Sequence, residues 1–210
     1  MSKVIEQLRW RYATKKFDAD KRLTSQQLEL IKQAFDLTAT SFGLQPLKLL
    51  IVSDKEIKKE LVQYSFNQQM VGDCSHLLVF CVEDTIDSAY VKNYFKKVKA
   101  ARATPDEILN PYREYLIQYV EGMKPDDARE WMTKQAYLAM GNLLTVCAME
   151  KIDACPMEGF DPKGYDRLLG LQKLGLRSVL VMPIGFRAED DLHSGLKKVR
   201  RGVEEVIIEI

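Results

Sequence analysis

The sequence predicts a single α+β domain, and three features of its pattern support that fold class. Short β-rich runs are interspersed with charged helical segments, and no regular βαβ repeat is visible. One long segment is apolar on nearly all sides, which is typical of a buried central helix. With 210 residues, 46% of them hydrophobic, the chain can bury roughly 70% of its unfolded surface in one core.

Four runs rich in β-branched and aliphatic residues predict strands. They are LKLLIVSD (47–54), LLVFCVE (77–83), RSVLVMPIG (177–185) and VEEVIIEI (203–210). The last run alternates apolar and acidic residues only partly, which is typical of a strand that pairs with the sheet edge of another subunit.

Capping signals and apolar periodicity predict the main helices. Thr24–Gln27 is a capping box that opens a helix. The residues on the apolar face of that helix are Leu28, Ile31, Ala34 and Phe35. Residues 84–127 are charged, helical and rich in tyrosine, and a helix inside them is predicted to start with Thr104 as N-cap and Pro105 at its first position. Trp131–Met149 is the segment that predicts a helix buried on most faces.

Charge and cysteine usage exclude several classes of partner. The net charge of +1 gives no general attraction to nucleic acid or anionic lipid, and no apolar run of about 18 residues is present to span a membrane. The N-terminus lacks the apolar region of a secretory signal. The four cysteines have no metal-site spacing, so they are predicted to be reduced core thiols of a cytoplasmic protein.

The motifs of common catalytic and metal sites are missing. No GxSxG, HExxH, GxxxxGK[ST] or GxGxxG occurs, and only two histidines, His76 and His193, are available. His76 begins a predicted strand and is interpreted as a hydrogen-bonded structural residue. The sequence therefore predicts no catalytic side chain and no metal site, and it assigns the chemistry of any reaction to a cofactor.

Two basic clusters lie far apart in the sequence. RWRYATKK (9–16) and KKVRR (197–201) are either two solvated stretches or two halves of one anion site. CPMEGFDP (155–162) is compatible with an ordinary strand–turn–helix, or with a glycine that lets backbone N–H groups approach a flat ligand. TSFGLQP (40–46) is compatible with a helix C-cap or with a loop that binds a polar ligand edge.

Taken together, six motifs resemble one known family. They are RYATKKFD (11–18), TSFGLQP (40–46), FNQQMVGDCSHLLVF (66–80), EWMTKQAYLAMGNLL (130–144), PMEGFD (156–161) and KKVR (197–200). Their order and spacing resemble the FMN-dependent nitroreductase family, most closely the oxygen-insensitive NAD(P)H nitroreductase and dihydropteridine reductase group. The resemblance implies a nitroreductase-like fold, with a central mixed or antiparallel sheet flanked by helices, in an intertwined homodimer. Residues 1–210 would form one FMN-binding domain, with 84–127 as a helical lid.

The resemblance also implies the cofactor-binding residues. The FMN phosphate would be held by Arg11, Lys198 and Arg200, and the pyrimidine edge of the flavin by Lys15 and Asn67. Gln45 matches the glutamine of the family's QP loop, and the backbone of Glu158 and Gly159 would face flavin N5. Thr40 and Ser41 would come from the partner subunit. The remaining members of the set are Tyr12, Ala13, Pro156 and Met157.

Two positions depart from the family pattern. Ala13 stands where close relatives often carry a serine, so a hydroxyl contact to the phosphate would be absent. Met70 stands where a second lysine can lie near the flavin edge. Lys15 would then be the main cation that stabilises the reduced flavin, and the reduction potential would be lower.

The implied activity is a ping-pong oxidoreductase reaction. NAD(P)H, as co-substrate, would deliver hydride to flavin N5, and a small-molecule acceptor such as a nitroaromatic or quinone would then be reduced. Two alternatives stay open from the residues: a flavin or dihydropteridine reductase on the same scaffold, and a flavin-binding protein without useful turnover. The lid at 84–127 would select among acceptors, and the preference between NADH and NADPH is not encoded in a recognisable motif.

Overall fold

The helices and strands follow the predicted α+β order. The structure is a computed structural model that describes residues 2–210. In chain order, the elements of the described residues are α1 (Lys3–Trp10), α2 (Ser25–Asp36), β1 (Leu47–Val52), α3 (Lys55–Gln63), α4 (Met70–Asp73), β2 (His76–Glu83), α5 (Ser88–Arg102), α6 (Asp106–Glu121), α7 (Pro125–Met149), β3 (Asp153–Ala154), α8 (Pro162–Leu168), β4 (Leu176–Gly185) and α9 (Val203–Val206). Short 3₁₀ turns occupy Ser41–Gly43 and Leu171–Leu174.

The four strands form one antiparallel sheet in the order β1-β2-β4-β3. β2 pairs with β1 on one side and with β4 on the other, with a register shift between Phe80 and Cys81. The short β3 pairs with the end of β4. β2 and β4 are therefore central, whereas the outer edge of β1 has no strand beside it among residues 2–210.

The central strand β2 separates two cores. Between residues 77 and 82, the odd-numbered side chains pack with Leu61 and Tyr165, and the even-numbered ones pack with Ala136 and Leu143 of α7. Alternate residues of a strand point to opposite faces, so a strand covered on both sides reads as a continuous apolar run. The burial of β2 explains the LLVFCVE pattern.

Helix α7 is central, but the predicted burial on most faces is only partly correct. Its buried residues are Met132, Gln135, Ala136, Ala139, Met140, Leu143, Cys147 and Ala148. On another face, Tyr137 and Leu138 are exposed by 46% and 54% of their surface. The difference arises because the sheet, α1 and α2 pack against other faces of α7 and leave the face with Tyr137 and Leu138 exposed.

Residues 84–127 are helical as predicted, although one boundary was wrong. Pro105, not Thr104, is the N-cap of α6, and the helix starts at Asp106 without a side-chain cap. Ala103, which has a left-handed backbone, ends α5. After this turn, α6 begins one residue later than the Thr-Pro signal indicates. Acidic Asp106 and Glu107 occupy the first turn, where they interact favourably with the helix dipole.

The segment 203–210 is not a strand in the described chain, so that prediction was wrong for the single subunit. Val203–Val206 form one helical turn, and the residues that follow have no regular structure. All of these residues are exposed, including the apolar Ile207 and Ile208. A strand requires a neighbour for its N–H and C=O groups, and within residues 2–210 this segment pairs with no strand.

Local signals that need no distant partner are confirmed. The capping box at Thr24 and Gln27 opens α2, and Asp161 caps α8 with Pro162 at its first position.

The four cysteines are buried. Within residues 2–210, no helix combines the length and the apolar character that a membrane crossing requires.

Candidate active site

The N-terminal segment, residues 11–16, leaves α1 as an extended chain beside β3. Ala13 bridges Ala154 in parallel, and the N–H of Thr14 donates to the Ala154 carbonyl. Side chains of an extended segment alternate in direction. Tyr12 and Thr14 reach buried carboxylates on the protein side, donating to Asp191 at 2.7 Å and to Asp153 at 3.4 Å, respectively.

The two basic sequence clusters meet in space. Lys198 Nζ donates to the carbonyl oxygen of Arg11. Burial lowers the pKa of Arg11, and the nearby Arg200 lowers it further. Burial likewise lowers the pKa of Lys198, with Arg11 and Arg200 adding to the effect. Arg11, Lys198 and Arg200 are called the cationic cluster below.

The cationic cluster has no acidic counterpart. Among residues 2–210, none of its three members forms a salt bridge with a carboxylate. Like charges held together and partly buried repel one another unless an anion lies between them. The arrangement fits a multivalent anion such as a phosphate monoester.

Lys15 links the N-terminal segment to the PMEG motif. Its Nζ donates to Cys155 Sγ over 3.5 Å, while its backbone N–H donates to Asp191. Burial raises the pKa of the Cys155 thiol, an effect that the Lys15 charge opposes. The ammonium group therefore lies at the start of residues 156–159.

Residues 156–159 have a paired and an unpaired part. Met157 is buried and exchanges two backbone hydrogen bonds with Val181 of β4, at 2.9 and 3.1 Å. The N–H groups of Glu158 and Gly159 donate to no backbone acceptor within the described residues. The Glu158 side chain accepts a hydrogen bond from Tyr137 of α7 at 2.7 Å. Two adjacent free donors beside an ammonium group form a surface that suits a ligand with acceptor atoms along one edge.

Gly159 brings the Asn67 turn to the same corner. A Cβ at Gly159 would lie 3.3 Å from Gln68 Nε2 and 3.7 Å from the Phe66 ring. Gln68 Nε2 donates to the Gly159 carbonyl at 2.9 Å. Phe66 and Asn67 both have left-handed backbones, with φ of 52° and 59°. The glycine thus allows close packing against this turn, where a side chain would press on the Gln68 amide, a role that the sequence interpretation did not include.

The 40–46 loop lies apart from the cationic cluster within one chain. Thr40 Oγ1 accepts the N–H of Gln45 at 3.1 Å, and the N–H of Ser41 donates to Gln135 of α7 at 2.9 Å. Tyr90 of α5 donates to the carbonyls of Leu44 and Gln45. No hydrogen bond within residues 2–210 joins this loop to residues 11–16, 156–159 or 198–200.

The same loop borders a groove with a volume of about 530 Å³. The groove follows β1 between α2 and α5. Its charged lining residues are Lys32, Asp36, Lys48, Glu83 and Lys97.

The structure thus joins most of the predicted site and reveals residues that the sequence interpretation missed. Arg11, Lys198 and Arg200 meet, and Lys15 adjoins residues 156–159; Thr40, Ser41 and Gln45 lie elsewhere. The missed residues are Gln68, Tyr137, Asp153, Arg187 and Asp191. The acidic run at 189–191 before the second basic cluster was the only available signal for Asp191.

Comparison with known proteins places this site in a family. The model of the nitroreductase family matches residues 8–186. The chain is 32% identical to the oxygen-insensitive NAD(P)H nitroreductase of Salmonella typhimurium, over 95% of this chain and 96% of that protein. It is 32% identical to the protein of the same name from Enterobacter cloacae, over 95% of each.

A solved structure agrees with the fold. A protein from Exiguobacterium sibiricum, described as a nitroreductase in complex with FMN, superposes with a TM-score of 0.83 at 16% identity, covering 100% of this chain and 98% of that one. Because the family model spans most of the chain, and the relatives match it from end to end, the chain belongs to the nitroreductase family.

Proposed function

We propose that the cationic cluster binds the phosphate of FMN. The observation that carries this proposal is the meeting of Arg11, Lys198 and Arg200 without a carboxylate partner. A flavin phosphate is close to dianionic at neutral pH, and guanidinium groups offer it paired, charge-assisted donors. Its binding relieves the repulsion among the three cations.

The isoalloxazine ring lies, in this proposal, at the corner made by Lys15, Asn67 and residues 156–159. The free N–H groups of Glu158 and Gly159 face the ring edge near N5, and Lys15 approaches the N1 and O2 edge. Pro156 and Met157 shape the backbone here, since the Met157 side chain is buried in the core. Tyr12 and Ala13 contribute through the backbone, because the Tyr12 hydroxyl is engaged by Asp191 and Ala13 has no polar group.

The protein is an FMN-dependent NAD(P)H oxidoreductase, as its family and its full-length relatives indicate. FMN, when bound, supplies hydride transfer from NAD(P)H to a small-molecule acceptor. The chain supplies binding, orientation and charge: the cationic cluster holds the phosphate, and Lys15 stabilises negative charge at the ring edge. No side-chain acid or base is required, because protons reach the exposed corner from water.

The acceptor meets an aromatic lid made by α5 and α6. Tyr112, Tyr115 and Tyr119 stack along the exposed face of α6, with ring centroids 6.3 and 6.4 Å apart. Tyr119 contacts Phe42 of the 40–46 loop at 5.1 Å. Planar acceptors such as nitroaromatics and quinones suit such a surface.

Each flavin site is proposed to need two chains. The partner subunit supplies Thr40, Ser41 and Gln45, which lie apart from the cationic cluster in one chain. The outer edge of β1 is unpaired, and the groove beside it contains Lys32, Lys48 and Lys97.

The exposed segment 203–210 of a second copy fits that edge. It combines four exposed apolar residues after Val203 with three carboxylates, so its charge is opposite to that of the groove, where three lysines outnumber Asp36 and Glu83. Pairing there satisfies its backbone as a strand. These features support the proposal of a homodimer with two flavin sites.

The proposed compartment is the cytoplasm. All four thiols are free and buried, which suits a reducing environment.

A steady-state screen tests the proposed function. NADH and NADPH are each offered with a nitroaromatic, a quinone, free FMN and a pterin as acceptors. Turnover of the nitroaromatic and the quinone is expected; turnover of only free flavin or pterin would instead identify a flavin or pteridine reductase. Adding NADPH to the protein without oxygen is expected to bleach the flavin rapidly, and a protein that stays yellow is not an oxidoreductase of this kind.

A further inference from the structure

A buried carboxylate collects hydrogen bonds from both ends of the chain. Asp191 is 4% exposed. Its Oδ2 accepts from the Tyr12 hydroxyl at 2.7 Å and from the N–H groups of Lys15 and Lys16 at 3.2 and 3.3 Å. Its Oδ1 accepts from the N–H of His193 at 3.0 Å and lies 3.2 Å from the His193 ring nitrogen Nδ1. A single side chain thus organises the N-terminal segment.

The hydrogen bonds to Asp191 fix the backbone of Lys15, the residue whose side chain lies beside residues 156–159. Lys15 has its N–H held by Asp191 and its Nζ beside Cys155, so one end of the side chain is anchored and the other is directed. A lysine side chain rotates about four bonds, so the position of its ammonium group depends both on where the backbone holds Cα and on the contact with Cys155.

The neighbouring buried carboxylate, Asp153, has a different task. It accepts from Arg187 through Nε at 2.9 Å and Nη2 at 2.5 Å, and from the Thr14 hydroxyl. The Arg187 guanidinium also packs 4.6 Å from the Tyr12 ring. Asp153, which lies in β3, therefore connects the Thr14 hydroxyl to Arg187, just after the end of β4. Asp191, in contrast, is the carboxylate that accepts from the backbone of Lys15.

Asp191 remains ionised at neutral pH. Burial raises the pKa of its carboxyl group, but the hydrogen bonds from Tyr12, His193, Lys15 and Lys16 outweigh burial and lower the pKa to about 2. A carboxylate accepts through both oxygens, which an amide of the same shape cannot do.

We propose that Asp191 is a positioning residue for the flavin site: by holding the backbone of Lys15 and Lys16 together with the Tyr12 hydroxyl, it fixes where the Lys15 ammonium group lies. This inference rests on the proposed FMN site. Asp191 acts through Lys15 and does not itself contact the cofactor.

The first test needs no cofactor. Hydrogen exchange is measured on the cofactor-free full chain for wild type, Asp191→Asn and Asp190→Asn. Asp190 is a matched control, since it adjoins Asp191 in sequence but pairs with Lys16 at the exposed surface. Exchange at residues 12–16 is expected to accelerate in Asp191→Asn alone, and unchanged exchange there would overturn the proposal.

The second test is a double-mutant cycle on the midpoint potential of bound flavin. Asp191→Asn is made in wild type and in Lys15→Met. The lost negative charge acts on the flavin in both backgrounds, but displacement of the ammonium group acts only where Lys15 is present. The change in midpoint potential caused by Asp191→Asn is therefore expected to be more negative when Lys15 is present than when it is replaced by methionine. Equal changes in the two backgrounds would contradict a role through Lys15.

FMN affinity separates positioning from folding and from the proposed function. Asp191→Asn is expected to weaken FMN on the order of tenfold, with Tyr12→Phe weaker in effect and Asp190→Asn unchanged. A variant that loses thermal stability but keeps both affinity and potential would show that Asp191 is merely structural. If the wild-type protein does not bind FMN, both the proposed site and this inference are overturned. If the wild-type protein binds FMN and Asp191→Asn binds it with the same affinity and potential, the inference alone is overturned.

Discussion

Arg11, Lys198 and Arg200 differ in exposure, and the difference decides which of them best reports on a bound phosphate. Arg11 and Lys198 are half-buried and joined by a hydrogen bond, so a substitution there also disturbs the chain. Arg200 is exposed, and its guanidinium group donates a hydrogen bond to the neighbouring Val199 carbonyl. Removing the Arg200 side chain therefore changes the charge of the site with little effect on folding.

Arg200→Ala is expected to weaken FMN by about 2 kcal/mol, or about thirtyfold, by removing one charge-assisted contact. Riboflavin, which lacks the phosphate, should bind wild type and variant equally. Fluorescence titration of the cofactor-free protein measures both affinities, with the adjacent Arg201→Ala as control. An equal loss for riboflavin and FMN would show that Arg200 does not contact the phosphate.

Lys15→Met is expected to lower the midpoint potential of the bound flavin. An ammonium group at the ring edge favours the more negative, reduced form, and its removal leaves that charge without compensation. Redox titration against reference dyes provides the measurement. Lys16→Met is the matched control, because Lys16 pairs with Asp190 at the surface; a Lys15→Met potential that is unchanged or higher would contradict the assigned role.

His76 predicts a pH dependence of stability. Burial lowers the pKa of its imidazole, and the charges of Lys58 and Arg22 lower it further. Because an unfolded histidine titrates near about pH 6.5, the unfolded chain binds more protons than the folded one below that value. The contribution of His76 is therefore present above this pH and is lost as the pH falls through the lowered pKa.

His76→Gln should flatten this part of the acid-side decline in the free energy of unfolding. Urea unfolding from about pH 8 to about pH 5 gives the two profiles. Near the upper end of this pH range, the free energies of unfolding of the variant and the wild type are expected to differ by a constant amount. Parallel profiles throughout the range would mean that His76 does not contribute.

At the scale of helices and strands, local signals were sufficient wherever both partners lie close in sequence. Thr24 and Gln27 cap α2 across three residues, and the apolar run of β2 reports its own burial. Thr104 carried a similar signal but failed, because the turn at Ala103 set the start of α6. The buried carboxylates Asp153 and Asp191 could not be distinguished from surface acids, since Thr14 and Tyr12, which donate to them, lie 139 and 179 residues away in the sequence.

The segment 203–210 shows the same limit for a strand. Its β-rich composition is evident in the sequence, but within residues 2–210 the segment pairs with no strand. The free edge of β1 and the lysines of the adjoining groove provide that edge in the proposed homodimer.

Deletion of residues 203–210 is expected to weaken dimerisation and FMN retention together. The deleted segment would no longer pair with β1 of the partner, and the 40–46 loop of each chain would lose its place beside the other flavin. Sedimentation at micromolar concentration, followed at the flavin and protein absorbance, measures both properties. Glu209→Gln, which keeps the segment, is the control; a truncated monomer that retains stoichiometric FMN would show that one chain builds the whole site.

For the whole molecule, the sequence supported the α+β class and the nitroreductase family, and both predictions are confirmed. The fold brings the two basic clusters together, with Lys198 donating to the Arg11 carbonyl. That they form one anion site stays a prediction. The assignment of individual FMN ligands and the homodimer stay predictions. A family pattern identifies residue types in order, whereas contacts such as that of Gln68 with Gly159 arise only when distant turns pack.

The cofactor content of the purified protein tests the central claim most directly. Protein purified under native conditions is denatured, and the released flavin is identified and quantified by chromatography. The cationic cluster and the PMEG corner together predict a yellow protein that releases FMN in equimolar amount to the chain. A colourless protein that also fails to take up added FMN would contradict the account.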